Sequence, residues 1–183
     1  MPSVIGIDLS LSSTGIAYPA IGGWETDSYQ PKSSGMQRLS DIRGWISDHL
    51  DMFAEAVVVV EGYSFSSRNA QAHALGELGG VVRLHMWDCG IPYVDVPPTS
   101  RAKFATGRGN AAKSEVVSAV SARTGIAWVG RGADDMCDAW VLQEMGLARL
   151  GSPRFEWPAE NRKALEKIEW TGCFKEDNEQ QEG

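Results

Sequence analysis

The chain has 183 residues, enough for one domain with a full hydrophobic core. Its apolar content of 43% and charged content of 22% are typical of globular proteins, and the longest unbroken apolar run, residues 56–60, is far too short to span a bilayer. The first residues, MPSVIGID, lack the basic and apolar regions of a signal peptide. Three cysteines without a CxxC spacing argue against a disulfide framework or a zinc site and favour the reducing cytoplasm.

The charge is unevenly distributed along the chain. The net charge of −7, taken alone, argues against a nucleic-acid partner. Residues 101–131, however, carry six Lys and Arg against the single acid Glu115, whereas residues 174–183 carry four acids against Lys175. The basic stretch is open to two interpretations, a solvated face or a phosphate-binding surface.

The first half of the chain predicts three strands, a helix and a fourth strand. SVIGIDLS, STGIAYPA and GGWETDSYQ each have the composition of a strand and are separated by short turns. Apolar residues then recur every three or four positions over residues 38–54, which predicts a helix. The continuous valines of EAVVVVEG predict a fully buried strand with a parallel neighbour.

The second half predicts a helix over residues 66–87, rich in small residues, and then a strand, GIPYVDVPP, ended by two prolines. Helices follow over residues 99–106, 113–123 and 134–150, with the loop GRGNA between the first two. This order predicts one α/β domain with a mixed sheet over residues 1–150. Residues 151–183 form a predicted C-terminal extension whose acidic tail is expected to be disordered.

Four carboxylates could converge at one edge of the predicted sheet. Asp8 lies in the first strand, and Glu61 ends the valine-rich strand. Ligand sites in open α/β sheets gather at the carboxyl ends of the strands. Asp135 and Asp138 are three residues apart, so they project from the same side of the last helix. If that helix packs near Asp8, all four meet.

Four clustered carboxylates repel each other, at a cost of roughly several kcal/mol, and divalent cations remove that cost. Oxygen ligands favour Mg²⁺ or Mn²⁺ over zinc, and a pair of such ions about 3.5–4 Å apart suits phosphodiester hydrolysis. Each residue also has a simpler interpretation. Asp134 and Asp135 could stabilise the helix N-terminus, Glu61 could be a surface acid and Asp8 a turn former.

Four segments resemble the RuvC family of Holliday junction resolvases, in the order in which that family has them. They are IGIDLSLSSTGIA, VVVVEGYSF, KFATGRGNAAKSEVV and DDMCDAWVL. The resemblance covers roughly residues 3–150 and implies the RNase H-like fold, with a five-stranded mixed sheet flanked by helices. It also implies a homodimer that binds a four-way DNA junction and nicks two opposed strands in a metal-dependent reaction, leaving 3′-hydroxyl and 5′-phosphate ends. As a short, divergent sequence of this kind, the chain also resembles the resolvases that bacteriophages carry.

The resemblance assigns roles to individual residues. Asp8, Glu61, Asp135 and Asp138 would be the metal ligands, and Lys113 would stabilise charge on the scissile phosphate. The helix over residues 66–87 would form part of the dimer interface. The predicted contacts to DNA come from residues that follow Glu61 and from the basic segment that leads to Lys113. They are Tyr63, Phe65, Arg68, Arg101, Lys103, Arg108, Asn110 and Lys113. Arg101 and Lys103 could equally be surface charges, and Leu9 and Ser10 replace the Pro-Gly that often follows the first Asp in the family.

Three other functions remain open at this stage. The hairpin GIDLSLSSTG also resembles the phosphate-binding hairpin of actin-like ATPases and sugar kinases, but those proteins need a second such domain, and this chain has one copy. A related RNase H-like nuclease that cuts flaps, forks or RNA is the second. The third is a non-catalytic DNA-binding relative, which we would expect to lack one of the four carboxylates.

Overall fold

The computed structural model of the chain describes residues 2–62 and 70–170. In that part of the chain the elements follow the predicted order: β1 (Ser3–Asp8), β2 (Thr14–Ala20), β3 (Gly23–Tyr29), α1 (Gly35–Leu50), β4 (Ala56–Glu61), α2 (Ala70–Asp88), β5 (Tyr93–Val96), α3 (Pro98–Thr106), α4 (Lys113–Thr124), α5 (Ala133–Arg149) and α6 (Ala159–Arg162). A 3-10 turn, Leu165–Lys167, follows α6. No helix within the described ranges is both long and apolar enough to cross a membrane.

The five strands form one mixed sheet in the order β3-β2-β1-β4-β5. β1 pairs antiparallel with β2, which pairs antiparallel with β3, while β4 runs parallel to both β1 and β5. The predicted five-stranded mixed sheet and the parallel neighbours of the valine-rich strand are therefore confirmed.

Both faces of the sheet are buried, which explains the continuous apolar run of β4. Side chains alternate between the two faces of a strand. Ile5 and Ile7 of β1 belong to a core shared with α1 and α2, whereas Val4 belongs to a second core formed with α3, α4 and α5. Val58 and Val59 of β4 divide between the two cores in the same way.

The predicted helices differ from the observed ones mainly at their ends. The apolar period predicts that the first helix continues to residue 54, but α1 ends at Leu50 and the chain turns through Asp51 and Phe53. Phe53 still packs against the α1 side of the sheet, so the period continues beyond the helix. The predicted start of the second helix, residues 66–69, lies outside the described residues.

Helix α5 lies unusually close to β1 and β2. A Cβ atom on Gly6 would lie 2.0 Å from the carbonyl oxygen of Ala139, and one on Gly15 would lie 2.2 Å from that of Asp135. A Cβ on Gly146 would lie 2.6 Å from a methyl group of Val4. The backbone of α5 therefore rests directly on the sheet, at positions where only glycine leaves room.

The described part of the predicted C-terminal extension packs onto the same core as the rest of the domain. Trp157, Ile168 and Trp170 are buried in the core shared with α5. Glu144 of α5 is fully buried and accepts hydrogen bonds from the backbone N–H of Arg154 and from the indole of Trp157. The domain boundary at residue 150 stays a prediction, and the acidic tail lies outside the described residues.

The close approach of α5 predicts that Gly6→Ala is strongly destabilising. The new methyl group would overlap the backbone at Ala139 and Gln143, which cannot move without separating α5 from β1. We expect a loss of about 3 kcal/mol or more in the free energy of unfolding, measured by urea denaturation. Gly23→Ala, in β3 with open space around it, is the control and should change stability by less than about 1 kcal/mol. Equal effects in the two variants would contradict the packing argument.

Candidate functional site

Asp8 and Glu61 are brought together by the parallel pairing of β1 and β4. Ile7 pairs with Val60, and Asp8 and Glu61 are the next residues, at the carboxyl ends of the two strands. Because side chains alternate, Asp8 shares the sheet face of Gly6, the face that α5 covers. Asp8 is buried, while Glu61 is half-buried at the edge. The sequence predicts Asp8 within its strand, and the structure places it at the strand's end.

Helix α5 adds two carboxylates above that edge. Asp135 lies in the first turn, where the helix backbone touches Gly15 of β2, and Asp138 follows one turn later on the same side. Both are buried, and Asp138 is completely inaccessible. Asp134, by contrast, is exposed. The convergence of the four carboxylates therefore depends on α5 resting on the strand ends.

Lys113 places its ammonium group among the carboxylates. It is the first residue of α4, and its Nζ donates a hydrogen bond of 3.0 Å to Oδ1 of Asp135. Nζ also lies 3.4 Å from Oδ2 of Asp138 and 3.6 Å from Oδ2 of Asp8. On its outer side, the exposed Asp134 lies 3.8 Å away. Half of the lysine side chain remains exposed, so it can reach both the buried carboxylates and a group bound from solvent.

Arg101 is a member of this site and is not the surface charge that was one of its two interpretations from sequence. It lies on α3, is 5% exposed, and donates hydrogen bonds from Nε to Glu61 and from Nη1 to Asp138. A buried guanidinium bonded to two carboxylates is not a surface charge, which corrects that interpretation, while a direct contact of Arg101 to DNA stays a prediction. The signal was present in the sequence, because Phe104 and Ala105 follow at the spacings that share a helix face with Arg101.

The clustering shifts the acidity of the buried groups. Burial, followed by the negative charges of Glu61 and Asp138, raises the pKa of Asp8 well above its usual range. Burial also raises the pKa of Asp138 to about 6, against the opposing effects of Arg101 and Lys113. The pKa of Lys113 is raised, because the carboxylates of Asp8 and Asp138 outweigh its own burial. The site thus holds more negative charge than its two cations neutralise.

Two relatives resemble the chain over most of its length. The crossover junction endodeoxyribonuclease RuvC of Carboxydothermus hydrogenoformans is 27% identical over 154 residues, covering 81% of this chain and 97% of the relative. The RuvC of Thermus thermophilus is 26% identical over 163 residues, covering 82% and 98%. No family model matches the chain.

Solved structures of the Thermus thermophilus protein share the fold. Its complex with a Holliday junction substrate matches with a TM-score of 0.63 at 24% identity, over 86% of this chain and 100% of the other. A second structure of the same RuvC gives a TM-score of 0.61 over 85% and 99%. The chain is similar to RuvC in sequence and in fold. The predicted RNase H-like fold and the predicted resemblance are confirmed.

The turn after Asp8, in which Leu9 and Ser10 stand where the resemblance led us to expect Pro-Gly, is closed by Thr14. The hydroxyl of Thr14 donates a hydrogen bond of 2.8 Å to the carbonyl of Ser10 and accepts one of 3.2 Å from the Ser10 backbone N–H. Thr14 is fully buried, so this pair of bonds closes the turn between β1 and β2 from inside. Asp8 is thereby held at the strand end without the usual residues.

The donor atoms of the RuvC-like site fit a hard divalent cation, although the side chains do not form a finished cage. Oδ2 of Asp8 and Oδ2 of Asp138 are buried and accept no hydrogen bond from any residue that the structure describes. Nζ of Lys113 lies 3.6 Å and 3.4 Å from these two oxygens, and a bound cation would satisfy their remaining lone pairs. In the same described ranges, no group of three or more acidic, His or Cys side chains is arranged to hold a metal ion as it stands. Arg101 and Lys113 hold the carboxylates instead.

Two of the remaining predicted DNA contacts are paired with acids other than the four of the site. Lys103 lies 3.2 Å from Glu160, and Arg108 donates a hydrogen bond of 2.6 Å to Glu115 at the start of α4. Asn110 is exposed in the loop between α3 and α4. The other three, Tyr63, Phe65 and Arg68, lie outside the described residues. A direct DNA role of all these residues stays a prediction.

Proposed function

We propose that the chain is a metal-dependent endonuclease that resolves four-way DNA junctions by paired nicks. The observation that carries the proposal is the meeting of Asp8, Glu61, Asp135 and Asp138 with Lys113 at the carboxyl ends of β1 and β4. The similarity, over most of the chain, to proteins named crossover junction endodeoxyribonuclease supports the choice of substrate.

The four carboxylates would hold Mg²⁺ or Mn²⁺, with two ions per subunit in the arrangement that the family resemblance implies. A divalent cation bound there would supply the Lewis-acid chemistry that activates water and stabilises the leaving 3′ oxygen. Asp8 and Asp138 contribute the two buried orphaned oxygens, and Glu61 and Asp135 complete the donor set. Products with a 3′ hydroxyl and a 5′ phosphate follow from cleavage of the bond between phosphorus and the 3′ oxygen.

Lys113 stabilises the charge that develops on the scissile phosphate. Its Nζ lies among the carboxylates, and half of its side chain is open to solvent, so it faces the place where a phosphate would lie. A preorganised cation in this position lowers the barrier without itself exchanging a proton. The raised pKa of Lys113, caused by Asp8 and Asp138, keeps the ammonium charged throughout the working pH range.

Paired nicking requires two copies of the site, and α2 offers a surface for pairing. Its solvent-facing stripe follows helical spacing and ends in two exposed apolar side chains: His73, Glu77, Gly80, Leu84 and Trp87. Leu84 is 60% exposed and Trp87 is 76% exposed. A small residue beside large apolar ones suits close helix packing in a two-fold dimer.

The function is tested with end-labelled four-way junction, linear duplex, flap and RNA–DNA hybrid, each incubated with Mg²⁺ or with EDTA. We expect symmetric nicks that ligase can seal, in the junction alone and only with metal. Equal cutting of flaps or hybrid would replace the junction resolvase with a broader RNase H-like nuclease. Binding of junction DNA without any cutting would replace it with a non-catalytic binding protein.

Asp8→Asn should abolish cleavage and leave junction binding intact. The substitution preserves shape and removes the charge that a cation needs, while phosphate contacts elsewhere are unchanged. Cleavage of labelled junction and gel-shift affinity in Ca²⁺ are measured in parallel, with Asp138→Asn as a second variant. Cleavage at the wild-type rate, or equal loss of binding in both variants, would remove these carboxylates from the proposed role.

Lys113→Ala should slow junction cleavage by a factor of about 10²–10³, because a preorganised cation near the phosphate is lost. Single-turnover cleavage at saturating enzyme isolates this effect from binding. Lys163→Ala is the control, because it removes an exposed lysine that pairs with Glu160 and is not among the predicted DNA contacts. A Lys113→Ala rate within about twofold of the control would exclude Lys113 from the reaction.

The wild-type protein should be a dimer, and Leu84→Glu combined with Trp87→Glu should make it a monomer. Two charges placed on the exposed stripe of α2 would have to be desolvated on pairing. Light scattering after gel filtration measures the mass, and Met52→Glu, at an exposed apolar residue beyond α1, is the control. A monomeric wild type, or a dimer that survives the double substitution, would contradict this interface.

A further inference from the structure

Arg101 lies where a cation would be needed to hold the carboxylates together. Its guanidinium joins Glu61, at the end of β4, to Asp138 on α5, and the arginine side chain is only 6% exposed. These two acids belong to separate elements on either side of the sheet edge. A planar guanidinium with several donors in fixed directions is well suited to link two such carboxylates.

We propose that Arg101 is the site's internal counter-cation, a positioning residue that holds Glu61 and Asp138 in place before any metal binds and competes with the metal for their oxygens. The claim that Arg101 competes with metal rests on the proposed function. The claim that it positions Glu61 and Asp138 concerns the metal-free protein alone.

The charges of the cluster support this role. Asp8, Glu61, Asp135 and Asp138 are four acids, and within the described ranges Arg101 and Lys113 are the cations that pair with their carboxylates. If all six groups are ionised, a charge of −2 remains, which one divalent cation balances. Removing Arg101 leaves a more negative cluster, which repels itself without metal and attracts metal more strongly.

Arg101 is also better anchored than Lys113. Helix α3 is held from behind by the C-terminal segment, where the ring of Phe104 lies 4.4 Å from that of Trp157 and Asn161 donates a hydrogen bond of 2.7 Å to the Phe104 carbonyl. Lys113 is half exposed and reaches the site from the first turn of α4. Arg101 therefore fixes the distance between β4 and α5, while Lys113 is free to face a substrate.

The arginine commits one oxygen of each partner and leaves others available. It bonds Oε2 of Glu61 and Oδ1 of Asp138, while Oδ2 of Asp8 and Oδ2 of Asp138 accept no hydrogen bond within the described chain. A cation can thus enter beside Arg101 at the orphaned oxygens. Loss of Arg101 would open two further oxygens to the metal.

The test compares Arg101→Met, Arg101→Lys and the control Lys103→Met in the full chain. In EDTA, we expect Arg101→Met to lower Tm by about 6–20 °C, because it leaves the buried carboxylate of Asp138 and the half-buried carboxylate of Glu61 without their partner. Lys103→Met, which removes a partly exposed lysine of the same helix, should change Tm by less than about 3 °C. A Tm for Arg101→Met equal to the control's would overturn the proposal.

Calorimetric titration with Mn²⁺ provides a readout that simple packing would not change. Arg101→Met should bind Mn²⁺ roughly tenfold more tightly than wild type, and Arg101→Lys, which keeps the charge, should stay near the wild-type affinity. If Arg101→Met does not fold, adding Glu61→Gln and Asp138→Asn should restore a folded protein, and failure to do so overturns the proposal. Unchanged or weaker Mn²⁺ binding by a folded Arg101→Met overturns the competition with metal.

The two sets of results separate this inference from the proposed function. If the wild-type protein cuts no DNA but Arg101→Met lowers Tm in EDTA, the counter-cation role is supported and the nuclease function is contradicted. If the wild-type protein cuts junctions and Arg101→Met has no effect in either measurement, the nuclease function is supported and the counter-cation role is contradicted.

Discussion

The site depends on the direct contact between the backbone of α5 and the strands beneath it. Gly6 and Gly15 leave no side chain between β1, β2 and the helix, so the carbonyl groups of Ala139 and Asp135 lie against the sheet. Asp135 and Asp138 are consequently lowered toward Asp8 and Glu61. A helix held at the usual distance by side chains would leave the two pairs of acids too far apart to share a cation. The glycines therefore act on function through distance, although they carry no reactive group.

Most of the positive charge in the basic stretch, residues 101–131, is paired with acids of the same protein. Arg101 and Lys113 neutralise the buried acids, and Lys103 and Arg108 are paired with Glu160 and Glu115 at the surface. Four of the six cations of this stretch are thus paired with acids, and the other two, Arg123 and Arg131, are exposed. Under the proposed function, affinity for DNA would come from metal, loop and substrate shape more than from a broad cationic surface, and its dependence on salt would be shallow.

Periodicity in the sequence was sufficient for most of the fold and for the four acids. Alternation and the valine run located the strands, and the positions of Asp8 and Glu61 near strand ends, with the paired aspartates of α5, predicted a shared edge. The interpretation of Arg101 as a surface charge is wrong, and although Phe104 and Ala105 on its helix face indicate burial, the sequence could not predict that its partners are Glu61 and Asp138. Its position depends on how α3 packs, which a linear pattern does not contain. Trp157 likewise belongs to the core through contacts with residues distant in sequence.

The Arg101–Asp138 ion pair closes a loop of contacts that runs through the C-terminal segment. Glu144 and Asp138 lie on the same helix, α5, and Glu144 binds the indole of Trp157 at 3.2 Å. Trp157 packs on Phe104 of α3. Phe104 lies one helical turn from Arg101, and Arg101 in turn forms the ion pair with Asp138. Both ends of the ion pair are thus fixed by the same buried network. Because interiors are close-packed and transmit strain, a change at Trp157 would alter the spacing of the carboxylates without touching them.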